Sequence, residues 1–227
     1  TALHPNNYTL HYTTLLQVGP YANPQEAYEY YTLPYCAPET KHHPDKGVDG
    51  SGKFKEWKLQ SIGEYLGGHA LRHSGHDIVF TPEDKTESCT TAPLSAPQAD
   101  LFKEAIHHRW FYQMYLDDLP VWGMVGELTE KNAKFDLDKV QVLGKDDKDR
   151  LDHVHEKDSE MSEYEPYVYT TRNLLIKYNQ DQIVQVDLTS DPKSLVIVKA
   201  GEKYQFDLHV HWEKTDDAFH SRFDRYL

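Results

Sequence analysis

Residues 204–212 read Tyr-Gln-Phe-Asp-Leu-His-Val-His-Trp, an unbroken alternation of apolar and polar side chains. A period of two belongs to an extended strand with one buried side. Tyr204, Phe206, Leu208, Val210 and Trp212 therefore share one face, and Gln205, Asp207, His209 and His211 the other. Upstream, Leu174, Ile176 and Tyr178 alternate before Asn179-Gln180-Asp181, and Val184, Val186 and Leu188 alternate after it, which predicts a hairpin. Shorter strands are expected at Asp77 to Thr81, Val121 to Val125 and Leu195 to Val198. One helix is predicted from Ala96 to Phe111: Ser95 can cap it with Gln98 three residues on, Pro97 suits its first turn, and Phe102, Ile106 and Trp110 recur every fourth residue. The fold class that follows is mainly β, a sandwich-like antiparallel architecture with one or more packed helices.

Composition bounds the rest. A chain of 227 residues can bury a sizeable core and is expected to form a single domain, with no internal repeat and no linker convincing enough to divide it. Its net charge of −13 and mean hydropathy of −0.75 describe an acidic polar polypeptide, a poor partner for nucleic acid or an anionic membrane surface. No apolar run approaches the roughly 18–20 residues that span a bilayer. Two stretches read as loops: 40–53, rich in Lys, His, Pro, Asp and Gly, and 144–166, a charged insertion with nine acidic and four basic side chains, expected to be mobile.

Standard catalytic signatures are missing. There is no Gly-x-Ser-x-Gly elbow, no phosphate-cradling glycine loop and no His-Glu-x-x-His helix, so no enzyme activity and no cofactor are expected. The most distinctive run is Tyr112 to Glu127, Tyr-Gln-Met-Tyr-Leu-Asp-Asp-Leu-Pro-Val-Trp-Gly-Met-Val-Gly-Glu. Asp117 and Asp118 have the residue types of a paired-carboxylate site, yet neighbours on an extended chain point to opposite sides, and before Leu119-Pro120 they are better read as shaping a turn. Trp110, Tyr112, Tyr115 and Trp122 could line a groove, but aromatics at this density usually fill a core.

This run, with Asp117, Asp118, Leu119, Pro120, Trp122 and Gly123, closely resembles the signature of the nonaspanins, the transmembrane nine superfamily, within the domain those proteins hold in the lumen ahead of their membrane helices. Four more blocks follow the family's order: Val18 to Tyr28 with Leu33-Pro34-Tyr35-Cys36, then Ile62 to Gly68, Asn173 to Leu188, and Val210 to Tyr226. The chain departs from the pattern in its first seventeen residues, in the insertion at 144–166, and at His209 and His211. The resemblance implies the luminal or extracellular domain of a polytopic membrane protein of the Golgi and endosomes, with signal peptide and nine membrane helices outside this chain. It implies roles in sorting membrane-protein cargo and in adhesion. The partners implied are the protein's own transmembrane domain, joined just after Arg225-Tyr226-Leu227, and membrane-protein cargo; no ligand is named. On this view the turn at 117–122 is structural or contacts the membrane domain. A secreted β-sandwich that binds carbohydrate, or a metal ion through histidines, is the alternative.

Cys36 and Cys89 are too few for a zinc cage and not spaced as a redox pair, which leaves a disulfide or two free thiols. The lone sequon at Asn7-Tyr8-Thr9, together with the resemblance, favours an oxidised pair and N-glycosylation at Asn7 in the secretory pathway. Fourteen histidines are the remaining oddity, paired at His42-His43, His107-His108, His153 with His155, and His209 with His211. The last two lie on one strand face about 7 Å apart, a spacing that can grip zinc or copper but lacks evident further ligands. Solvated histidines are the plainer reading, and clustered imidazoles also suit a pH sensor.

Overall fold

A long first strand organises one half of the molecule. In the computed structural model, which describes residues 11–23, 25–38, 62–81, 83–130 and 164–226, strand β1 (His11–Pro20) is antiparallel to three partners. Along one edge it meets β2 (Tyr28–Glu29) and β3 (Arg72–Val79), and along the other β5 (Trp110–Leu116), which pairs in turn with β6 (Leu119–Met124). The short helix α1 (Ile62–Leu66) precedes β3. A second sheet has the order β10 (Gln182–Ser190), β9 (Thr171–Asn179), β12 (Gln205–Lys214), β4 (Lys85–Thr90). A third joins β11 (Leu195–Ile197), β8 (Tyr164–Tyr169) and β7 (Gly126–Glu130).

The alternation in 204–212 translates directly into burial. Tyr204, Leu208, Val210 and Trp212 are buried and Phe206 packs against the core, while Gln205, His209 and His211 are exposed. The hairpin read from 174–188 is β9 and β10, with a bulge between Ile183 and Gln185 that lets both Ile183 and Val184 turn inward. One core cluster runs through the sheets, from Leu16, Met114 and Leu119 to Val168, Ile176 and Leu208. Burying such aliphatic side chains contributes about 1.5–3 kcal/mol each before entropy is counted.

Helix α2 (Ala96–His107) packs Ala99, Phe102, Ala105 and Ile106 into this core, against β5, β7 and β8. Gln98 Oε1 accepts from both the backbone N–H and the hydroxyl of Ser95, so the start is anchored as expected. Its end is earlier than the fourfold apolar recurrence predicts. Arg109 adopts a left-handed φ of 51° and its N–H bonds Ile106 O, which turns the chain so that Trp110 and Phe111 begin β5. Glycine usually marks such a stop, and an arginine in its place gives no warning.

Other boundaries also shift. The strand expected at Asp77 to Thr81 begins earlier and ends at Val79, and the one at Val121 to Val125 is the second part of β6, which begins at Leu119 and ends at Met124. The sheets are mainly antiparallel, but β9 and β12 run parallel, a pairing with no local signature because it joins distant segments. Tyr164, Glu165 and Pro166, assigned above to the charged loop, are part of β8. Residues 144–163, the loop at 40–53, His42, His43, His153, His155 and Asn7 lie outside the described residues.

Candidate docking face at the Asp117 turn

Asp117 and Asp118 are the whole loop of the β5–β6 hairpin, since Leu116 pairs directly with Leu119. Their φ values of 50° and 66° give the left-handed pair of a two-residue turn whose twist matches the flanking strands. Aspartate tolerates that conformation better than most residues. Leu116 and Leu119 are fully buried and pin the hairpin base. Pro120 sits opposite Tyr115 on β6, an edge strand of its sheet, where a missing N–H costs little. Gly123 faces Tyr112, and a Cβ there would lie 2.2 Å from the phenol oxygen; at Gly126 a Cβ would lie 2.0 Å from Tyr167 O. Both glycines are thus required by close approach.

The turn holds a distant segment. Arg222 follows the 3-10 stretch Phe219–Ser221 and is 7% exposed. Its Nη1 donates to Asp117 Oδ2 at 2.9 Å and to Ile183 O at 3.3 Å, and its Nη2 donates to Asp117 O. The guanidinium lies 4.6 Å from the Phe219 ring and 4.8 Å from that of Phe223. Arg225 pairs with Asp187 at 2.8 Å, and Tyr226 approaches Trp122 with ring centroids 6.3 Å apart. Burial raises the Tyr226 phenol above its ordinary pKa. Trp122 is 46% exposed, Phe219 41% and Phe223 46%. Trp122 therefore departs from the reading that this aromatic cluster fills the core, because alternation along β6 turns Leu119 and Val121 inward and Trp122, opposite Gln113, outward. The result is a hairpin clamped to residues 218–226, with exposed aromatic rings beside an ion pair whose arginine is buried and whose carboxylate is 40% exposed.

The histidines of β12 are separated by their partners. His209 Nδ1 lies 2.7 Å from Thr86 Oγ1, and His211 Nδ1 contacts an Asp84 carboxylate oxygen. Among the described residues no group of three or more His, Cys, Asp or Glu side chains could hold a metal ion. His107 closes α2; burial first, then the neighbouring charge of His108, lowers its pKa. Cys36 and Cys89 form a disulfide, Cα atoms 5.8 Å apart across 53 residues, that fastens the Leu33 to Cys36 block to β4.

One buried residue was not singled out from the sequence. Arg172 on β9 is 8% exposed and lies under Tyr112, with 3.9 Å from its guanidinium carbon to the ring centroid, and near the rings of Tyr35 and Tyr30 at 5.0 and 5.9 Å. The signal was present: extending the Leu174, Ile176 alternation back by one step puts Arg172 on the buried face.

The comparisons agree with this arrangement. The family model for Endomembrane protein 70 matches residues 27–227, and these include the hairpin, the disulfide and the Arg222 segment. The chain belongs to the nonaspanin family. It is 30% identical over 212 residues to Transmembrane 9 superfamily member 2 of Arabidopsis thaliana and 29% identical over 212 residues to member 3 of the same plant; each match covers 92% of this chain and 29% of the relative. Transmembrane 9 superfamily member 1 of Rattus norvegicus is 34% identical over 114 residues, 50% of this chain and 17% of the relative. The chain thus spans less than a third of the length of these curated nonaspanins, which are membrane proteins by name. No solved structure matches. Among the described residues no helix is long and apolar enough to cross a membrane.

Proposed function

We propose that this chain is the luminal or extracellular domain of a nonaspanin that sorts membrane-protein cargo in the Golgi and endosomes, and that it acts by binding rather than by catalysis. The observation that carries the reading is the clamp between Asp117, in the family's signature hairpin, and Arg222, in the segment that ends the matched region. A buried, multiply bonded arginine fixes the angle at which residues 218–226 leave the domain, which a domain seated on its own membrane portion needs. The exposed apolar rings of Phe219 and Phe223 and the indole of Trp122 beside it suit a membrane-domain or interfacial contact. The Cys36–Cys89 bridge supports an oxidising compartment. Sorting, adhesion and N-glycosylation at Asn7 come from the family reading alone.

The test uses the full-length nonaspanin in cells that lack their own copies. Wild type is expected to restore surface delivery of membrane-protein cargo, and Trp122→Ser with Phe223→Ser is expected to fold and reach the same compartment while delivering less. Normal delivery in the cells without any nonaspanin would overturn the sorting role; normal delivery by the double variant would overturn the role of this face.

A further inference from the structure

We propose that the cavity beside Arg172 is a binding site for a single small anion, with chloride the best fit. Its walls include Arg172, Tyr30, Tyr35, Tyr112, Met114, Leu188 and the two bridged cysteines, and its volume is about 20 Å³. That is room for one water-sized occupant and too little for sulfate, phosphate or an organic acid.

The chemistry of the walls selects charge as well as size. Arg172 Nη1 donates to the Tyr30 hydroxyl at 2.8 Å, while Nε and Nη2 have no hydrogen-bond partner among the described residues. The buried hydroxyls of Tyr35 and Tyr112 make no well-aligned hydrogen bond among the described residues, although Tyr35 lies close to Arg172 and Tyr112 close to Ser190. These four orphaned groups belong to residues that line the same cavity, and all four can donate. A guanidinium remains charged in any protein environment, so burial leaves a positive charge to be compensated. The phenols do not compensate it as phenolates. Burial pushes Tyr112 up to about 12 and Tyr30 and Tyr35 above their ordinary values, against the opposing field of Arg172. Asp207 is the one carboxylate among the lining residues, and it is engaged by Ser88 Oγ and Gln205 Nε2. The ring faces of Tyr112, Tyr35 and Tyr30 offset part of the cost of burying the ion by cation–π attraction, but only the smaller part. Water would satisfy the donors but leave the charge. A halide does both.

The experiment has two arms. Thermal unfolding of the purified chain is followed at constant ionic strength as sodium gluconate is replaced by sodium chloride. The midpoint is expected to rise saturably, by roughly 3–6 °C at ten times the dissociation constant, and the rise is expected to vanish in Arg172→Gln. Identical midpoints in the two salts, or a chloride response that survives in a folded Arg172→Gln, would overturn the site. Crystals of the wild-type chain soaked in sodium bromide supply the second arm, which does not depend on the variant folding. An anomalous peak in contact with Arg172 Nε and Nη2 is the expected result; bromide at exposed side chains only, with water in the cavity, refutes the proposal.

Discussion

Arg222 and Arg172 are almost equally hidden, at 7% and 8% exposure, yet they are held in opposite ways. Arg222 faces a carboxylate and two carbonyls supplied by a hairpin turn and a neighbouring strand. Arg172 has aromatic faces and one phenol oxygen around it, and among the described residues no carboxylate is a hydrogen-bond partner. The first is a mechanical fastening, in which the charge meets a carboxylate inside the chain and Nε alone of the guanidinium nitrogens lacks a partner among the described residues. The second leaves charge over, and such a remainder is where a ligand has something to add. Burial alone therefore says little about what an arginine does; its partners decide.

The largest expected effect lies at the Arg172 end. The disulfide holds Tyr35, the neighbour of Cys36, over the guanidinium, and closing a loop across 53 residues stabilises the fold by about 4 kcal/mol. Cys36→Ala with Cys89→Ala should lower the unfolding free energy by about that much in a urea titration; a loss under about 1 kcal/mol would mean that packing holds Tyr35 unaided.

At the other arginine, Arg222→Met keeps roughly the length of the side chain while removing three hydrogen bonds, one of which is the ion pair with Asp117. A loss of about 3 kcal/mol is expected. Hydrogen exchange should speed up in residues 218–226 more than in β9. Uniform acceleration across the domain would show that Arg222 is a general core group and not a fastening.

Gly123 joins the two regions, because it lies in the signature hairpin and packs on Tyr112, the ring that covers Arg172. Gly123→Ala should cost about 2 kcal/mol by overpacking. It should also weaken the chloride response by shifting Tyr112. An unchanged response would separate hairpin and cage.

The smallest effect is one of pH. Burial raises the pKa of Glu87, but the hydrogen bonds and charges of His76 and Lys85 outweigh it and leave the carboxyl below its ordinary 4.5. A depressed carboxylate contributes stability above its unfolded pKa and loses it as pH falls through the folded one. Stability should thus decline in wild type as pH drops below about 4.5, and less steeply in Glu87→Gln, when chemical unfolding is repeated between pH 6 and pH 3. Parallel curves would mean that Glu87 contributes nothing to acid sensitivity.

Much of this architecture could be read from spacing. The alternation in 204–212 and the 174–188 hairpin are local patterns with one buried face, and their burial follows directly. Helix α2 could be read at its start, where Ser95 and Gln98 form a capping signal, and not at its end, where the left-handed residue is Arg109. The turn at Asp117-Asp118 was legible as a turn, but its partner Arg222, 105 residues away, was not. Histidine pairs drew attention by count, although His209 and His211 each find a different partner on or beside β4.

By itself the sequence determined the family, the mainly β class and the inward faces of 204–212 and of the 174–188 hairpin, because these depend on periods and motifs only a few residues long. The tertiary structure alone decided that β9 and β12 run parallel, that Asp117 fastens Arg222, and that Arg172 lies among three tyrosines beside a cavity. Those contacts join segments far apart in the chain, and their electrostatics depend on which groups share a volume from which water is excluded.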